Sequence, residues 1–366
     1  MATRAALRRL IGQRTQQPFF RDYGGTVGTA TGGSTTTLID TVRLASGDSL
    51  DWRGQFVYLP TTDEVRRITT FTTASDTVTW AAAATAVVNG TAYELWSSYT
   101  PGEVHAGLNY ALSVAWPFLF LTGTNETVVI RQDGGLVYTL PTTNTIHRLC
   151  RVYLKAYYST LTSTVTTEGT TSQVIDSTAP FTSADVGKWI NVYDDANTAN
   201  GNSRQILTFT STTTVVVSSA FTVALPVGAK YRMVDKNYEF PTIILLQGWQ
   251  PDKYDYPTTL WLGSHPSGYE GHLLCVEYEY DYPELTTETT DTTCPQEYIL
   301  NMALAYLYFQ RLGTADPSEV DRVQAMYQAA LTAGQLYQKS NRFQHMPGTL
   351  TRMDLGAIIT PRNYPF

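Results

Sequence analysis

Charge and cysteine are what this sequence has least of. Only 16% of its 366 residues are charged, against roughly 25% in ordinary globular proteins. The three cysteines, Cys150, Cys275 and Cys294, are odd in number and show no metal-ligand spacing. That argues against a disulfide framework and for assembly in a reducing host cytoplasm. Long apolar runs are missing too. The best candidate, 112–121, contains Pro117 and falls short of the roughly 18 residues a membrane span needs. Arg8 and Arg9 interrupt residues 5–11, so the N-terminus has no signal-peptide core and no membrane partner is expected. With 25 basic against 32 acidic residues and a net charge of -7, the chain lacks the overall basic footprint of a protein that grips nucleic acid. Its basic residues are nevertheless unevenly placed. Arg4, Arg8, Arg9, Arg14 and Arg21 all precede the first acidic residue, Asp22, so residues 1–23 read as a basic arm or helix, either solvated or available to an acidic partner.

The residues in excess are those of strands: 57 threonines, 24 tyrosines and 13 phenylalanines. Branching at the β-carbon and flat aromatic rings both suit the pleated, half-buried strand. The expected class is α+β, mainly β. Laid over itself at an offset of about 133 to 138 residues, the sequence repeats five blocks in order. Thr37-Leu38-Ile39-Asp40 is answered by Gln173-Val174-Ile175-Asp176, and the block opening at Gly54 by the block opening at Gly187. Residues 66–72 are answered by 204–210, Thr77-Val78-Thr79 by Val215-Val216-Val217, and Ala92-Tyr93-Glu94-Leu95 by Lys230-Tyr231-Arg232-Met233. Each block is a short alternating run bounded by turn residues, so each copy, 24–98 and 159–234, reads as a small β barrel or sandwich. Thr69, Thr72, Thr77, Thr79, Thr208, Thr210 and Thr212 alternate with apolar residues and are expected to face solvent.

Around the modules the pattern changes. Thr100-Pro101-Gly102-Glu103 is a capping box opening a helix that Pro117 ends. Residues 128–132 and 136–140 flank a Gly-rich turn and read as a hairpin, and 146–158 as a strand with Cys150, Val152, Leu154 and Ala156 on one face. These make a core segment, 99–158, which strands in 235–292 complete, so the second module reads as an insertion. Thr293-Cys294-Pro295-Gln296 reads as another capping box, followed by Ile299, Met302, Tyr306 and Phe309 at helical spacing with Gly313 as stop. Residues 316–319 open a second helix with Val323 and Tyr327, giving an αα-hairpin over 293–344. The tail, 345–366, carries Leu355, Ile358, Ile359, Tyr364 and Phe366 without helical period and is expected to lie on another surface.

Sites for chemistry are few. Glu277 and Glu279 sit two apart on a strand, roughly 7 Å, a separation within the range of glycosidase carboxylates, although a polar strand face accounts for them. His265, His272 and Cys275 match no standard metal spacing. Gly25, Gly28, Gly32 and Gly33 lack the strand and the Lys-Ser/Thr of a phosphate loop. Asp194-Asp195 opens a long loop rather than an EF-hand. No enzyme and no cofactor is expected.

The order of parts carries a resemblance: an arginine-rich start, threonine-rich β modules, Tyr280-Asp281-Tyr282-Pro283-Glu284-Leu285, an acidic-threonine link, and Pro295-Gln296-Glu297-Tyr298 opening a helix pair. In this it resembles virion proteins of tailed bacteriophages, most of all the head-to-tail connector or adaptor proteins of the neck. The likeness is strongest over 274–340. It implies a structural protein forming a ring with itself, usually of twelve subunits, between the portal protein and a tail or nozzle protein, with DNA passing through the lumen. It implies ring contacts from the helix pair (Ile299, Met302, Tyr306, Phe309, Val323, Tyr327) and portal docking by the tail (Leu355, Ile358, Ile359, Tyr364, Phe366). The smallest adaptors are nearly all helical, and the β modules depart from them. The alternative is a receptor- or glycan-binding tail protein stacking sugars on Trp52, Trp80, Trp96, Trp189, Trp249 and Trp261.

Overall fold

The protein's structure, a computed structural model, describes residues 1–22, 26–44, 51–81, 84–132, 135–140, 146–157, 159–178, 181–194, 201–236, 242–246, 249–251 and 259–341. The fold is mixed α+β and mainly β. Two compact units divide the chain: Met1–Phe120 with Asp281–Phe366, and Leu121–Tyr280. The first and last residues of the second unit, Leu121 and Tyr280, are cross-strand partners. The second unit is thus an insertion in the first. The expected core segments 99–158 and 235–292 run across this division, because the helix at 101–113 groups with the C-terminal helices and not with the sheet.

In the first unit, strands run in the order Gly28–Thr29, Ala92–Trp96, Phe56–Leu59, Glu64–Thr72, Thr77–Trp80, Thr37–Ile39, Gly32–Gly33. The two ends of this path are separated in sequence only by Ala30 and Thr31, whose amides donate to the Thr91 and Ile39 carbonyls at 2.9 and 2.8 Å. The sheet therefore closes on itself as a small barrel with no free edge. The second unit holds the same object, where Val165 and Thr166 donate to Ala229 and Ile175 at 2.9 and 3.0 Å. Gly90 and Gly228, at φ 93° and 94°, make matching left-handed turns that a side chain would strain. Their amides donate to Ala30 and Val165. In each barrel a buried aspartate accepts a bond from a buried tyrosine, Asp40 from Tyr93 and Asp176 from Tyr231, both at 2.7 Å. Ile68, Val78, Ile206 and Val215 fill the interiors. None of the seven threonines expected at the surface is buried.

The inserted unit also carries a sheet in which Leu121–Val129, Leu273–Tyr280, Ile146–Ala156 and Thr242–Leu245 lie side by side. It joins the barrel through pairing of Gly201 with Val129. The expected hairpin over 128–140 does not form. Leu121–Val129 pairs with Leu273–Tyr280, whereas Val137–Thr139 pairs with Thr259–Trp261 in a separate small sheet. Cys150 is exposed and does not share the buried face of Val152 and Leu154. A register shift between Leu149 and Arg151 resets the alternation and puts Leu149 inward instead.

Helices α1 (Arg4–Arg14), α2 (Pro18–Asp22), α3 (Pro101–Ser113), α4 (Gln296–Leu312) and α5 (Val320–Asn341) belong to the first unit. α3 starts on the expected capping box, with the Thr100 and Glu103 side chains each bonding the other's backbone amide. α4 does not: its cap is Pro295, with no side-chain bond to the helix, and Thr292 rather than Thr293 bonds the Cys294 amide. Among the described residues no helix is long and apolar enough to cross a membrane.

Candidate interaction surface

α4 is buried on most of its circumference, with Tyr298, Ile299, Leu300, Ala303 and Leu307 inaccessible. α3 and α5 pack on it from two sides. Gly107 of α3 lies where an added Cβ would stand 3.2 Å from the Ala303 carbonyl oxygen, so the absence of a side chain sets how closely α3 approaches α4. Of the residues expected to make ring contacts, Ile299, Met302 and Val323 are 0%, 5% and 2% exposed and serve the subunit's own core. The periodicity that marked them is that of an apolar helix face, which packs inward whenever a neighbour in the same chain can cover it.

The remaining three lie elsewhere. Tyr306 and Tyr327 are half-buried and Phe309 is 58% exposed. Together with Tyr110 of α3 and with Met302, Ala305, Gln310 and Leu331 they line a cleft of about 210 Å³. The aromatic rims are preorganised. The Tyr110 and Tyr306 rings sit 5.1 Å apart, and the Phe309 and Tyr327 rings 5.8 Å apart. No charged side chain lines the cleft, and Met326 and Leu336 of α5 are exposed as well. Apolar and aromatic surface of this kind on helices is a mark of an interaction site. Leu355, Ile358, Ile359, Tyr364 and Phe366, expected to dock on the portal, lie outside the described residues.

The basic arm is not an arm. Arg4 and Arg8 are 4% and 0% exposed, on a helix face they share with Leu7 and Ile11. Arg8 grips Glu94 through two parallel bonds of 2.9 Å, Nε to Oε2 and a terminal nitrogen to Oε1, and reaches Glu288 with its third nitrogen. Arg9 adds a 3.3 Å bond to Glu94, and Arg4 binds Asp63 at 3.0 Å and Glu288 at 2.9 Å. The Tyr58 hydroxyl lies 2.7 Å from Asp63 and 2.8 Å from Glu288. Three guanidiniums thus meet three carboxylates, and the cluster is neutral. Arg14 alone is exposed, paired with Glu297 at 2.8 Å. The expectation of an acidic partner for Arg4 and Arg8 is overturned, since the chain supplies their carboxylates itself.

His105 of α3 completes the junction. Its Nε2 lies 3.1 Å from an Arg8 nitrogen, which can only donate, so the imidazole accepts there and carries its proton on Nδ1. Burial, then the nearby Arg8 and Arg4 charges, push its pKa down to about 4. Burial alone would raise the pKa of Glu288, but bonds from Arg8 and Tyr58 hold it below the usual carboxylate value. Asp63, His105 and Glu288 bring ligand-type atoms within 4.8 Å of one another. A divalent cation among them would face two guanidiniums already bonded to the same Glu288 oxygen, so the arrangement is a salt-bridge junction and not a metal centre.

The other candidates are likewise engaged. Glu277 pairs with Arg151 and Glu279 with Arg148. His272 contacts Arg232, and His265 bonds the Arg131 carbonyl, so these histidines do not converge with Cys275. Gly28, Gly32 and Gly33 are barrel strand residues, and Asp194 pairs with Lys230. Residues 23–25 and 195–200 lie outside the described residues. Trp52, Trp80 and Trp96 are buried, Trp189 has the Lys236 ammonium 3.5 Å from its ring centre, and Trp249 packs against a core. Trp261 is half-buried. No protein-family model matches the chain, and no curated protein matches it.

Proposed function

We propose that this chain is a structural protein of a tailed-bacteriophage virion, a connector that forms a ring between portal and tail through its helical layer. The observation that carries this reading is the uncharged aromatic cleft on α3, α4 and α5. Ring closure needs two different surfaces on each subunit, one given and one received, and a preformed cleft with aromatic anchors is a receiving surface. The order of parts along the sequence supports the neck as its place. A net charge of -7 per subunit, repeated around a ring, would repel a passing duplex rather than hold it. Engagement of the tryptophans in cores or with neighbouring side chains leaves the glycan-binding alternative without a supporting feature.

Imaging the neck of virions that carry a labelled copy tests this. Label at a single ring at the head-to-tail junction is expected, and label on fibres or in the head shell overturns the reading. Phe309→Glu places a charge in the cleft rim without touching the core, and is expected to leave folding intact while lowering ring formation at least ~100-fold, as loss of an interface anchor worth about 3 kcal/mol would. Mass measurement on the purified proteins reads the difference.

A further inference from the structure

We infer that in the free subunit the cleft between α4 and α5 is occupied by the chain's own C-terminal segment, with Leu355, Ile358 and Ile359 entering among Tyr110, Tyr306, Phe309 and Tyr327. The inference rests on the ring reading for the importance of the surface, and adds what covers that surface before assembly. α5 ends at Asn341, and Leu331 and Tyr327 lie ten and fourteen residues back along it. That is a distance of ~15–21 Å along the helix axis. The thirteen residues 342–354 can span at most ~43–47 Å, so residue 355 reaches the cleft with chain to spare. A segment tethered this closely is held at an effective concentration in the millimolar range, above any concentration at which a second copy competes before assembly.

The chemistry matches on both sides. The cleft lining carries no charge. The sequence Leu355-Gly356-Ala357-Ile358-Ile359-Thr360-Pro361 is an uncharged run flanked by Asp354 and Arg362. Seating such a run there removes three aliphatic side chains and two aromatic rims from water at once. The same occupancy keeps neighbouring subunits apart until the segment is drawn out, so the contact doubles as a brake on ring formation.

Two measurements test it on the full chain. A benzophenone amino acid in place of Ile358 is photolysed in an equal mixture of isotopically light and heavy protein. Cross-links to α4 or α5 within a single isotope are expected. Mixed-isotope cross-links, which would mean the segment of a second copy, overturn the inference, as do cross-links confined to other elements. Independently, truncation after residue 344 is expected to speed amide exchange over 302–310 and 327–331 at least ~10-fold in a monomeric sample. Unchanged exchange overturns the inference even if the benzophenone variant docks poorly. If the contact forms within one chain and the truncated protein still never exceeds monomer mass, the occupancy stands and the ring reading fails.

Discussion

Arg8 has no exposed side-chain surface and neither does Glu94, so the two charges can be hosted only because each satisfies the other. Burial alone would lower the pKa of Arg8, but the bonds to Glu94 and Glu288 raise it above its ordinary value, and the guanidinium stays charged under all conditions. Glu94→Leu should therefore cost about 3–5 kcal/mol, the penalty of stranding a buried cation. Adding Arg8→Met to it should recover part of that loss, a sign reversal that urea denaturation of the single and double variants will read. His105 gives the junction its pH dependence. Its folded pKa, about 4, lies below the ordinary 6.5, so between those values the unfolded chain binds the extra proton. Stability is then complete above pH 6.5 and falls as pH drops toward 4, by at most ~3 kcal/mol. Below that, protonation of Glu288 and Asp63, both held under their usual values, continues the loss. His105→Gln should flatten the slope between pH 6.5 and 4, seen as pH-independent amide exchange in α1 and α3. An unaltered slope would place the titration elsewhere.

At the level of elements, the two barrels are one design used twice, and the Asp–Tyr bond inside each makes that testable. Tyr93→Phe and Tyr231→Phe each remove one donor from a buried carboxylate, at an expected cost of about 1–3 kcal/mol. Tyr93→Phe should lower the unfolding midpoint of the first unit alone, and Tyr231→Phe that of the insertion alone. Both changes shifting one shared transition would contradict this. These barrels were legible in the sequence because a repeat preserves the order of its blocks whatever the tertiary context, and because Asp40, Asp176, Tyr93 and Tyr231 stand inside those blocks. The α3 start was legible because a capping box is local. The hairpin over 128–140 was misread because strand pairing is decided by distant partners: the partners of Leu121–Val129 stand near residues 201 and 273–280. Arg8 was misread for the same reason, its carboxylates lying 86 and 280 residues away. The signal that could have found it was positional, since Arg4 and Arg8 fall on the helix face of Leu7 and Ile11. Half of the expected ring residues became core because periodicity marks a buried face without saying whether the same chain buries it.

The whole molecule is organised by an insertion. Leu121 and Tyr280 open and close the second unit as a cross-strand pair, which in an antiparallel ladder sets their Cα atoms about 4.5–5.5 Å apart. Phe120 and Asp281 flank them in the first unit, and there the Tyr282 hydroxyl bonds the Phe120 carbonyl at 3.5 Å. Each unit owns its core. The insertion has its barrel interior and the two faces of its sheet, and the first unit has its own barrel, its helices and the whole junction of Arg4, Arg8, Asp63, Glu94, His105 and Glu288. Chains that leave and return through adjacent residues lose little entropy when the excursion is removed. Residues 121–280 expressed alone should therefore show one cooperative unfolding transition and strand-type circular dichroism. A second protein, with that segment replaced by a few glycines and serines between Phe120 and Asp281, should keep the His105-dependent loss of stability between pH 6.5 and 4 and the cleft on α3, α4 and α5. It should therefore associate as the full chain does. If residues 121–280 unfold without a cooperative transition, or the shortened chain loses the pH dependence, the two units are one folding body and the sharing of roles between them is wrong.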